Sequence, residues 1–483
     1  MSQNDFTIAN QGFPAFRADL NSALQALASS NSGATAPSTT FANQLWYDTA
    51  NNILYIRNED NDAWIKLFTL DQTNDNVESL HADTIAEATS GNGVAVDGVT
   101  LKDGELGTTA SPVAINSSSL NGGQFGGRRN IIINGAMQVA QRGTSVTSIS
   151  TEGYKTVDRF KWTMDNTSAV FTHSQSTDVP TGEGFANSFK VDVTTADTSL
   201  ASGNQTRFEY RFEGQDVQQL AKGTSNAKKV TLSFWVKAYQ TGTYVVNIHD
   251  TDNSRLIAKT YTVNSSATWE YKTITFDGDA TGTLNDDNAL SLVLHWYLGA
   301  GSDYTSGTLA TSWESFTNAN RAVGQTVDIA SSTSNYWQIT GVQLEVGEQA
   351  TPFEHKSFGE ELALCQRYAV AFDADGSIDN YSPIGIGRWH SATDAHIHLP
   401  LPVTMRYPPT LDATSTTAVG TFFINTAGGL TGATPTSITL AERSYNSVLL
   451  NVNYSTGGQT AGTGTTLFSD NADVAKVVLT SEL

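Results

Sequence analysis

The sequence has little of several features that would assign it to a familiar class. Its 483 residues include one cysteine, Cys365, so an intrachain disulfide is excluded and nothing points to an oxidising compartment. No run approaches the roughly 18 apolar residues of a membrane-spanning helix, so no membrane insertion is expected. The opening residues MSQNDFTIANQG lack a basic segment followed by an apolar run, so we expect synthesis in the cytoplasm without a secretory signal.

Positive charge is also scarce. Lys and Arg together number 27 against 48 Asp and Glu, which gives a formal charge of -21. An excess of negative charge weakens long-range attraction to phosphates, because like charges repel. The sequence therefore disfavours nucleic acid and anionic lipid headgroups as partners.

Motifs of catalysis and of repetition are missing as well. There is no nucleotide-binding glycine loop, no HExxH and no CxxC pair. No repeat with a period of about 20 to 50 residues is visible, which argues against a solenoid or propeller. Candidate carboxylate pairs cannot be identified, because a sequence gives no distance between the two groups. We therefore expect no enzyme and no cofactor, with a polysaccharide-degrading glycoside hydrolase or lyase as the alternative.

The sequence contains instead many short β-like runs between turns rich in Ser, Thr, Asn and Gly, which predicts a mainly β protein. Before these runs, residues 14–28 show apolar residues at helical spacing, which predicts a short amphipathic helix. Residues 43–67 then show three runs separated by Asn- and Asp-rich turns, which predicts a β-meander. The apolar residues of these two elements include Phe16, Leu20, Trp46, Tyr47, Tyr55 and Trp64.

Changes in composition along the chain predict four parts. Residues 1–70 form an N-terminal domain and residues 71–127 a stalk or linker dominated by Gly, Ser, Thr, Asn and Asp. About ten strand-like runs in residues 128–357 predict one central β-sandwich. Residues 358–483 predict a short helix, at 358–368, followed by a small C-terminal β-domain.

The stretch TRFEYRFEG illustrates the strand pattern of the central part. Phe208, Tyr210 and Phe212 alternate with charged residues, so the first set should face the core. The charged set, which is Arg207, Glu209, Arg211 and Glu213, should face water.

One pair of short strands lacks enough apolar residues to fold alone. Val94, Val96, Val99 and Leu101 alternate with small or polar residues around Asp97-Gly98, which is typical of a hairpin with a tight turn. A two-stranded hairpin is marginally stable in water, and its Gly- and Ser-rich flanks offer nothing to pack against. Another chain or another copy of this one should therefore cover it, unless the segment is a flexible linker.

Candidate glycan-binding residues are aromatic or histidine side chains beside hydrogen-bonding groups. In VTLSFWVKA, alternation places Trp235 with Ser233 and Lys237 on the face opposite the core. The other candidates are His295, Tyr297, Trp389 and His390. For each aromatic residue, packing under a loop or at a subunit contact is the alternative.

Two motifs resemble metal sites without satisfying the requirements of one. His390, His396 and His398 lie close in sequence, but exposed or hydrogen-bonded strand histidines are the simpler interpretation. The loop DGDATG at residues 277–282 has part of a calcium-loop pattern, but Asn288 stands where a bidentate Glu is needed. A plain acidic turn is favoured there, and no metal is assigned.

Several segments resemble tail-fibre proteins of tailed bacteriophages, notably those that infect marine bacteria. They are RRNIIINGAMQVAQRG with YKTVDRF (residues 128–160), WQITGVQLEVGEQATPFEHKSFGEELALCQRY (337–368), ADTIAEATSGNGVAVDGVTLKDGEL (82–106) and QLWYDTANNILYIRNEDNDAWIKL (44–67). The resemblance covers most of residues 41–370. It implies an elongated trimer on the virion, with the amino end docked to the tail and the distal domains facing the host. It also implies that the central sandwich is similar to carbohydrate-binding jelly rolls.

Together these observations predict a structural virion protein, a homotrimeric tail fibre. The anchoring surface would include Phe16, Leu20, Trp46, Tyr47, Tyr55 and Trp64, and it would bind a tail, baseplate or adaptor protein. The stalk would join three copies through Val94, Val96, Val99 and Leu101, because each apolar face is completed by its neighbours. The distal β-domains would bind a host-surface polysaccharide. A tail-associated scaffold without a receptor role is a further alternative.

Overall fold

The computed structural model describes residues 3–81, 94–96, 99–102, 105–108, 111–112, 127–375, 381–412, 415, 419–426, 429–455, 457–470 and 474–483. The chain forms two compact units, Met1–Asn116 and Ser117–Leu483. The finer division into four parts stays a prediction. No helix in the described ranges is both long and apolar enough to cross a membrane.

The first unit contains one helix and a four-stranded antiparallel meander. The predicted helix is present as α1, which covers Phe13–Ala28 and has Pro14 in its first turn. It buries Ala23 and Ala26, whereas the apolar residues Phe16, Leu24 and Leu27 are exposed. The meander runs in the order β1-β2-β3-β4, with strands Leu45–Asp48, Ile53–Arg57, Trp64–Asp71 and Asn76–Leu80. The fourth strand was not predicted, because its residues are mostly exposed and show no apolar alternation.

A second small sheet in this unit contains the predicted hairpin. Its strands, in the order β5-β6-β7-β8, are Val94–Val96, Val99–Lys102, Glu105–Thr108 and Ser111–Pro112. Val94 pairs with Leu101 and Val96 with Val99, so the two short strands that the sequence predicts pair with each other. The Asp97-Gly98 turn lies outside the described residues, and covering of the hairpin by other copies stays a prediction. Strands β4, β7 and β8 also lie within residues 71–127, where the hairpin is the one clear strand signal of the sequence.

The second unit begins with a β-sandwich of two antiparallel sheets. A seven-stranded sheet has the order β10-β11-β14-β19-β16-β17-β20, and a six-stranded sheet has the order β18-β15-β21-β13-β12-β9. Their strands are β9 Ser145–Ile149, β10 Gly153–Tyr154, β11 Phe160–Asp165, β12 Val170–Ser176, β13 Ser188–Thr195, β14 Gln205–Glu213, β15 Val230–Ala238, β16 Gly242–Asp250, β17 Arg255–Val263, β18 Glu270–Phe276, β19 Leu290–Ala300, β20 Glu314–Ser315 and β21 Tyr336–Val346.

Aromatic side chains from both sheets fill the space between them. Phe208 of β14 contacts Trp337 of β21, with ring centroids 5.5 Å apart, and Phe234 of β15 contacts Trp296 of β19 at 5.9 Å. All four side chains are buried. The predicted mainly β fold with a central sandwich is therefore confirmed.

Strand β14 shows where the alternation pattern succeeds and where it fails. Phe208, Tyr210 and Phe212 are buried, as predicted. The prediction that the charged face is in water is wrong for Glu209 and Glu213, which are both 0% exposed. Glu209 is enclosed by arginines of its own strand, and Glu213 binds Arg367 at 2.7 Å.

Short helical segments connect the strands of the sandwich and lead into the last part of the chain. Helix α2 covers Ser302–Thr305, and 3-10 turns lie at Gly214–Asp216, Gln218–Leu220, Asn318–Asn320, Ile329–Ser331 and Val419–Thr421. The predicted helix near residues 358–368 is present as α3, Phe358–Gln366. It begins at a capping box in which Ser357 and Glu360 bond reciprocally to each other's backbone N–H groups.

The remaining strands form two further antiparallel sheets around a second core. One has the order β22-β31-β25 and the other β27-β26-β30-β23-β24-β29-β28. The strands are β22 Ala369–Asp375, β23 Pro383–Trp389, β24 Asp394–Pro400, β25 Thr410–Leu411, β26 Phe422–Thr426, β27 Gly429–Ala433, β28 Ser437–Arg443, β29 Ser447–Asn453, β30 Gly464–Ser469 and β31 Val474–Thr480. Side chains from both sheets, including Trp389, Leu450 and Val477, share this core.

Buried ion pairs connect the sandwich to the sheets that follow it. Arg142 contacts Asp412 at 3.3 Å and Glu482 at 3.4 Å, and Arg159 contacts Glu482 at 2.6 Å. The arginine side chains are 3% and 1% exposed. Charges buried so completely need partners, and here the partners come from the far end of the chain.

Candidate functional site

The best-formed candidate site lies on the outer face of the six-stranded sheet, at Trp235. Its neighbours on the other face of β15, which are Val230, Leu232, Phe234 and Val236, are all buried. The alternation therefore leaves Trp235 half-buried on the outer face, as the sequence predicts.

A second aromatic residue stands directly opposite Trp235. The antiparallel register pairs Trp235 of β15 with Tyr271 of β18. Their ring centroids are 5.2 Å apart and the ring planes are inclined by 46°. Tyr271 is 44% exposed, so this cross-strand pair presents aromatic surface to solvent. The sequence indicated the strand of Tyr271 but not its partner, because register is not visible in one strand alone.

A β-bulge shapes the other side of the site. The pairing of β15 with β21 shifts between Ser233 and Trp235, where Gly341 adds an extra residue with φ 62°. A Cβ atom on Gly341 would lie 2.6 Å from the ring of Phe185, so that ring packs against the glycine. The positive φ and the close approach both require glycine here.

Loop residues complete the wall of the cleft. Phe185 contacts Phe353 with ring centroids 5.1 Å apart, and His355 lies 4.9 Å from Phe353. These rings, the cross-strand pair and a few polar groups surround a cleft of about 300 Å³. Its lining residues are Glu183, Phe185, Ser233, Trp235, Tyr271, Gly341, Pro352, Phe353 and His355. We call this set the sheet cleft.

A polar network lies along β15 and β21 beside the sheet cleft. Asp178 accepts hydrogen bonds from Lys237 at 2.7 Å, Trp269 at 3.1 Å and Gln338 at 3.2 Å. Burial tends to raise the pKa of Asp178, but these hydrogen bonds outweigh it and lower the pKa. The network fixes Lys237 and Trp269, since both share one carboxylate.

Chemically, the sheet cleft combines flat apolar surface with groups that bond to hydroxyls. The rings of Trp235 and Tyr271 can pack against the apolar face of a sugar ring. Glu183 can accept hydrogen bonds, and Ser233 and His355 can donate or accept them. Aromatic surface with a few polar groups is typical of a small-molecule binding site, and the volume is at the lower end of the usual range.

Two other predicted glycan-binding residues lie inside the protein. His295 is 3% exposed and Tyr297 is 0% exposed, so the expected exposure of both is wrong. The segment after β19 covers this outer face of the seven-stranded sheet, and Tyr304 and Arg321 of that segment pack near Tyr297. His295 Nδ1 lies 2.7 Å from Asn247 Oδ1 and burial lowers the pKa of the imidazole.

The last two predicted residues, Trp389 and His390, have different environments. Trp389 is 1% exposed and belongs to the second core, so it is not available to a glycan in this structure. His390 is exposed and its ring stacks on His396 at 4.2 Å. His390 as a binding residue stays a prediction, as does Trp235.

The two metal-like motifs of the sequence have identifiable protein contacts. In the acidic loop, Asp279 binds Arg255 at 2.6 Å and Lys222 at 3.0 Å, so side-chain cations already contact this carboxylate. In the histidine motif, His396 contacts His390, and burial together with nearby cations lowers the pKa of His396. Within the described ranges, no group of three or more His, Cys, Asp or Glu is placed to hold a metal ion.

The predicted anchoring residues of the first unit are only partly exposed. Phe16 is 40% exposed, whereas Trp46 is 8% exposed and stacks on Tyr55 at 5.0 Å, so the expected exposure of Trp46 is wrong. Leu20, Tyr47, Tyr55 and Trp64 are half-buried. The apolar surface lies instead on residues that the sequence analysis did not assign to docking, namely Phe13, Leu24, Leu27, Phe41, Leu45 and Ile65. Leu27, Phe41 and Leu45 also line a cleft of about 580 Å³.

Parts of this chain are similar to solved structures of a phage tailspike domain and of carbohydrate-binding modules. No protein-family model matches the sequence, and no curated protein matches it. A solved structure of the enzymatically active domain of bacteriophage CBA120 tailspike protein 4 is similar over 45% of this chain and 21% of its own, with 13% identity and a TM-score of 0.24.

Carbohydrate-binding modules are similar over nearly their whole length. A family 11 module from a cellulosomal cellulase of Clostridium thermocellum matches 43% of this chain and 98% of its own, with 11% identity and a TM-score of 0.22. TmCBM61, solved with β-1,4-galactotriose, matches 45% of this chain and 99% of its own, with 8% identity and a TM-score of 0.23. The chain spans about a fifth of the tailspike structure and nearly all of each module.

Proposed function

We propose that this chain is a glycan-binding structural protein that acts through the sheet cleft. The observation that carries the proposal is the cross-strand pair of half-buried Trp235 and exposed Tyr271, with centroids 5.2 Å apart, which lines one cleft with Ser233 and Glu183. The residues on either side of Trp235, Phe234 and Val236, are 0% exposed, so the backbone that carries the indole is fixed before binding. A fixed backbone reduces the conformational freedom that the site loses when a sugar packs on the ring.

The biological setting that we propose is the virion of a tailed bacteriophage. The chain would be a homotrimeric tail fibre that docks to a tail, baseplate or adaptor protein through its N-terminal unit and holds host-surface polysaccharide in the sandwich. The resemblance of residues 44–67, 82–106, 128–160 and 337–368 to tail-fibre segments supports this setting. The exposed apolar residues of the first unit support a docking role there, because large exposed apolar patches mark interaction sites.

The proposed activity is binding without cleavage, and a glycan array tests it. The full chain is applied at neutral pH together with the variants Trp235→Ala and Tyr271→Ala. Each variant should weaken binding at least about tenfold, which corresponds to about 1.4 kcal/mol. The bound glycan should be recovered intact.

A matched control separates the cleft from aromatic surface in general. Tyr445 is 44% exposed, as is Tyr271, but it lies in the β28–β29 connection and contacts Tyr407. Tyr445→Ala should therefore leave binding unchanged. Equal loss in all three variants, or release of reducing ends from the glycan, would contradict the proposal.

A further inference from the structure

The charges around the sheet cleft are unevenly distributed. Glu183 is exposed and is the one carboxylate among the lining residues. Within the described residues, no ion pair involves Glu183. The lining contains no lysine or arginine in this part of the chain.

Three lysines close in sequence to lining residues are paired with carboxylates, and one of them, Lys272 beside Tyr271, lies 2.6 Å from Glu270. Lys237, two residues beyond Trp235, holds its Nζ 2.7 Å from Asp178 Oδ2. Lys356, next to His355, holds its Nζ 3.5 Å from Glu354 Oε2. Each pair sums to zero formal charge. Arg129 donates to Thr351 and to the carbonyl of Pro352 but is not among the lining residues, so Glu183 is the one formally charged side chain that lines the sheet cleft.

The charge of the whole chain acts in the same direction. The formal charge of -21 repels polyanions as they approach, although salt screens this effect beyond about 8 Å at physiological ionic strength. Within the sheet cleft the separations are shorter than that length, so Glu183 is screened less than the distant charges are. A local carboxylate can therefore discriminate between ligands of equal shape.

From this distribution we infer that the sheet cleft takes uncharged or amine-bearing sugar units and rejects acidic ones, with Glu183 as the residue that sets the charge preference. This inference rests on the proposed function, since it concerns the ligand of the same cleft. Sugars that carry carboxylate, sulfate or phosphate would place a second negative charge beside Glu183. An amine-bearing sugar would instead pair with it.

The test is a glycan array of pairs in which one group is charged in one member and capped as a neutral derivative in the other. Examples are oligogalacturonides with free and with methyl-esterified carboxyls, and chitooligosaccharides with free and with acetylated amines. The galacturonide pairs are run at about pH 8, well above the ordinary pKa of an imidazole, so that ligand charge and Glu183 dominate. The chitooligosaccharide pairs are run at about pH 5.5, where the sugar amine carries its proton and a carboxyl of ordinary pKa is ionised. The wild-type chain should prefer the uncharged or amine-bearing member of each pair that it binds.

The variant Glu183→Gln removes the charge and keeps the size of the side chain. It should reduce the preference against the acidic member by about three- to tenfold, as expected for two unit charges several ångströms apart near a surface. The control is Glu348→Gln, because Glu348 is 66% exposed, lies outside the cleft and changes the net charge by the same amount. This control should leave the preference unchanged.

Every outcome is informative. Preference for acidic members, or an equal effect of both variants, overturns the inference while the proposed function stands. Binding of no glycan at all, by a chain whose folding is confirmed by circular dichroism, overturns the proposed function and the inference with it. A reduced preference in Glu183→Gln alone supports both.

Discussion

Replacing Lys222 with Met tests how the acidic loop at residues 277–282 is held. The Lys222 ammonium lies 2.5 Å from Asp250 Oδ2 and 3.0 Å from Asp279 Oδ2. It also donates to the backbone carbonyls of Thr281 and Gly282, each at 3.0 Å. Four oxygens therefore surround one ammonium, and the lysine side chain is 4% exposed. A metal cation from solution would have to compete with the Lys222 ammonium for these four oxygens.

The expected loss follows from the two carboxylates that the ammonium neutralises. Asp279 keeps Arg255, whose Nε and Nη2 lie 2.6 Å and 3.1 Å from its oxygens. Asp250 is 0% exposed, and among the described residues its remaining side-chain hydrogen bonds come from Asn253. Removing one member of a buried ion pair costs about 3 to 5 kcal/mol, because the other charge remains buried without compensation. Lys222→Met should lower the free energy of unfolding by about that amount.

Urea unfolding of the second unit measures this loss, with two comparison variants. Lys229→Met removes a lysine that is 45% exposed and lies 3.2 Å from Glu348, so its midpoint should match the wild type. The double variant Lys222→Met/Asp250→Asn should recover part of the stability, because the uncompensated charge is gone. The reasoning is refuted if Lys222→Met and Lys229→Met shift the midpoint equally, or if the double variant is less stable than Lys222→Met.

Two further predictions concern pH and assembly. Burial, with a contribution from Asp197, raises the pKa of Asp328 to about 6, above the ordinary value of 3.8. Protonated Asp328 therefore stabilises the fold below about pH 4, and this stabilisation is lost as the pH rises through 6. Asp328→Asn keeps a side-chain oxygen that can accept the hydrogen bond from the Ala330 N–H. In urea unfolding this variant should be more stable than the wild type by about 1 to 3 kcal/mol at pH 7.5 and equal to it at pH 4. A stability difference that is the same at both pH values would contradict this prediction. Light scattering on the full chain should give the mass of three copies, and a monomer would contradict the proposed trimer. A chain that lacks residues 1–70 should still form trimers but should not be incorporated into particles.

Local alternation in the sequence predicts which residues face the sandwich core, but not what covers the other face. Phe208 and Phe234 follow the pattern and are buried. Glu209 and Tyr297 occupy the opposite faces of their strands and are buried too. Tyr297 is covered by the segment after β19, whereas Glu209 is enclosed by Arg207 and Arg211, which stand two residues away on its own strand. The alternation pattern shows neither the return of a later segment over the sheet nor the burial of a carboxylate between neighbouring arginines.

The candidate site divides in the same way. Trp235 was predicted because its strand alternates strictly, and Ser233 followed from the same pattern. Tyr271 requires the register between two strands, and Phe353 lies in a loop without periodicity. The sequence signal for the wall of the cleft is Gly341 inside an otherwise regular strand, since a glycine in a strand marks a bulge or a close approach of another group to the backbone. This glycine indicates the position on β21 at which the wall packs.

The two sides of the sheet cleft should therefore differ in rigidity. The floor at Trp235 is fixed by Phe234 and Val236, which are both 0% exposed, so moving it means disturbing the sandwich core. The wall at Phe185 and His355 depends on loop contacts and on packing against one glycine. Segments with few buried contacts open at lower free energy than core strands do. Adaptation to a different sugar should accordingly occur in the wall, while the aromatic floor stays the same.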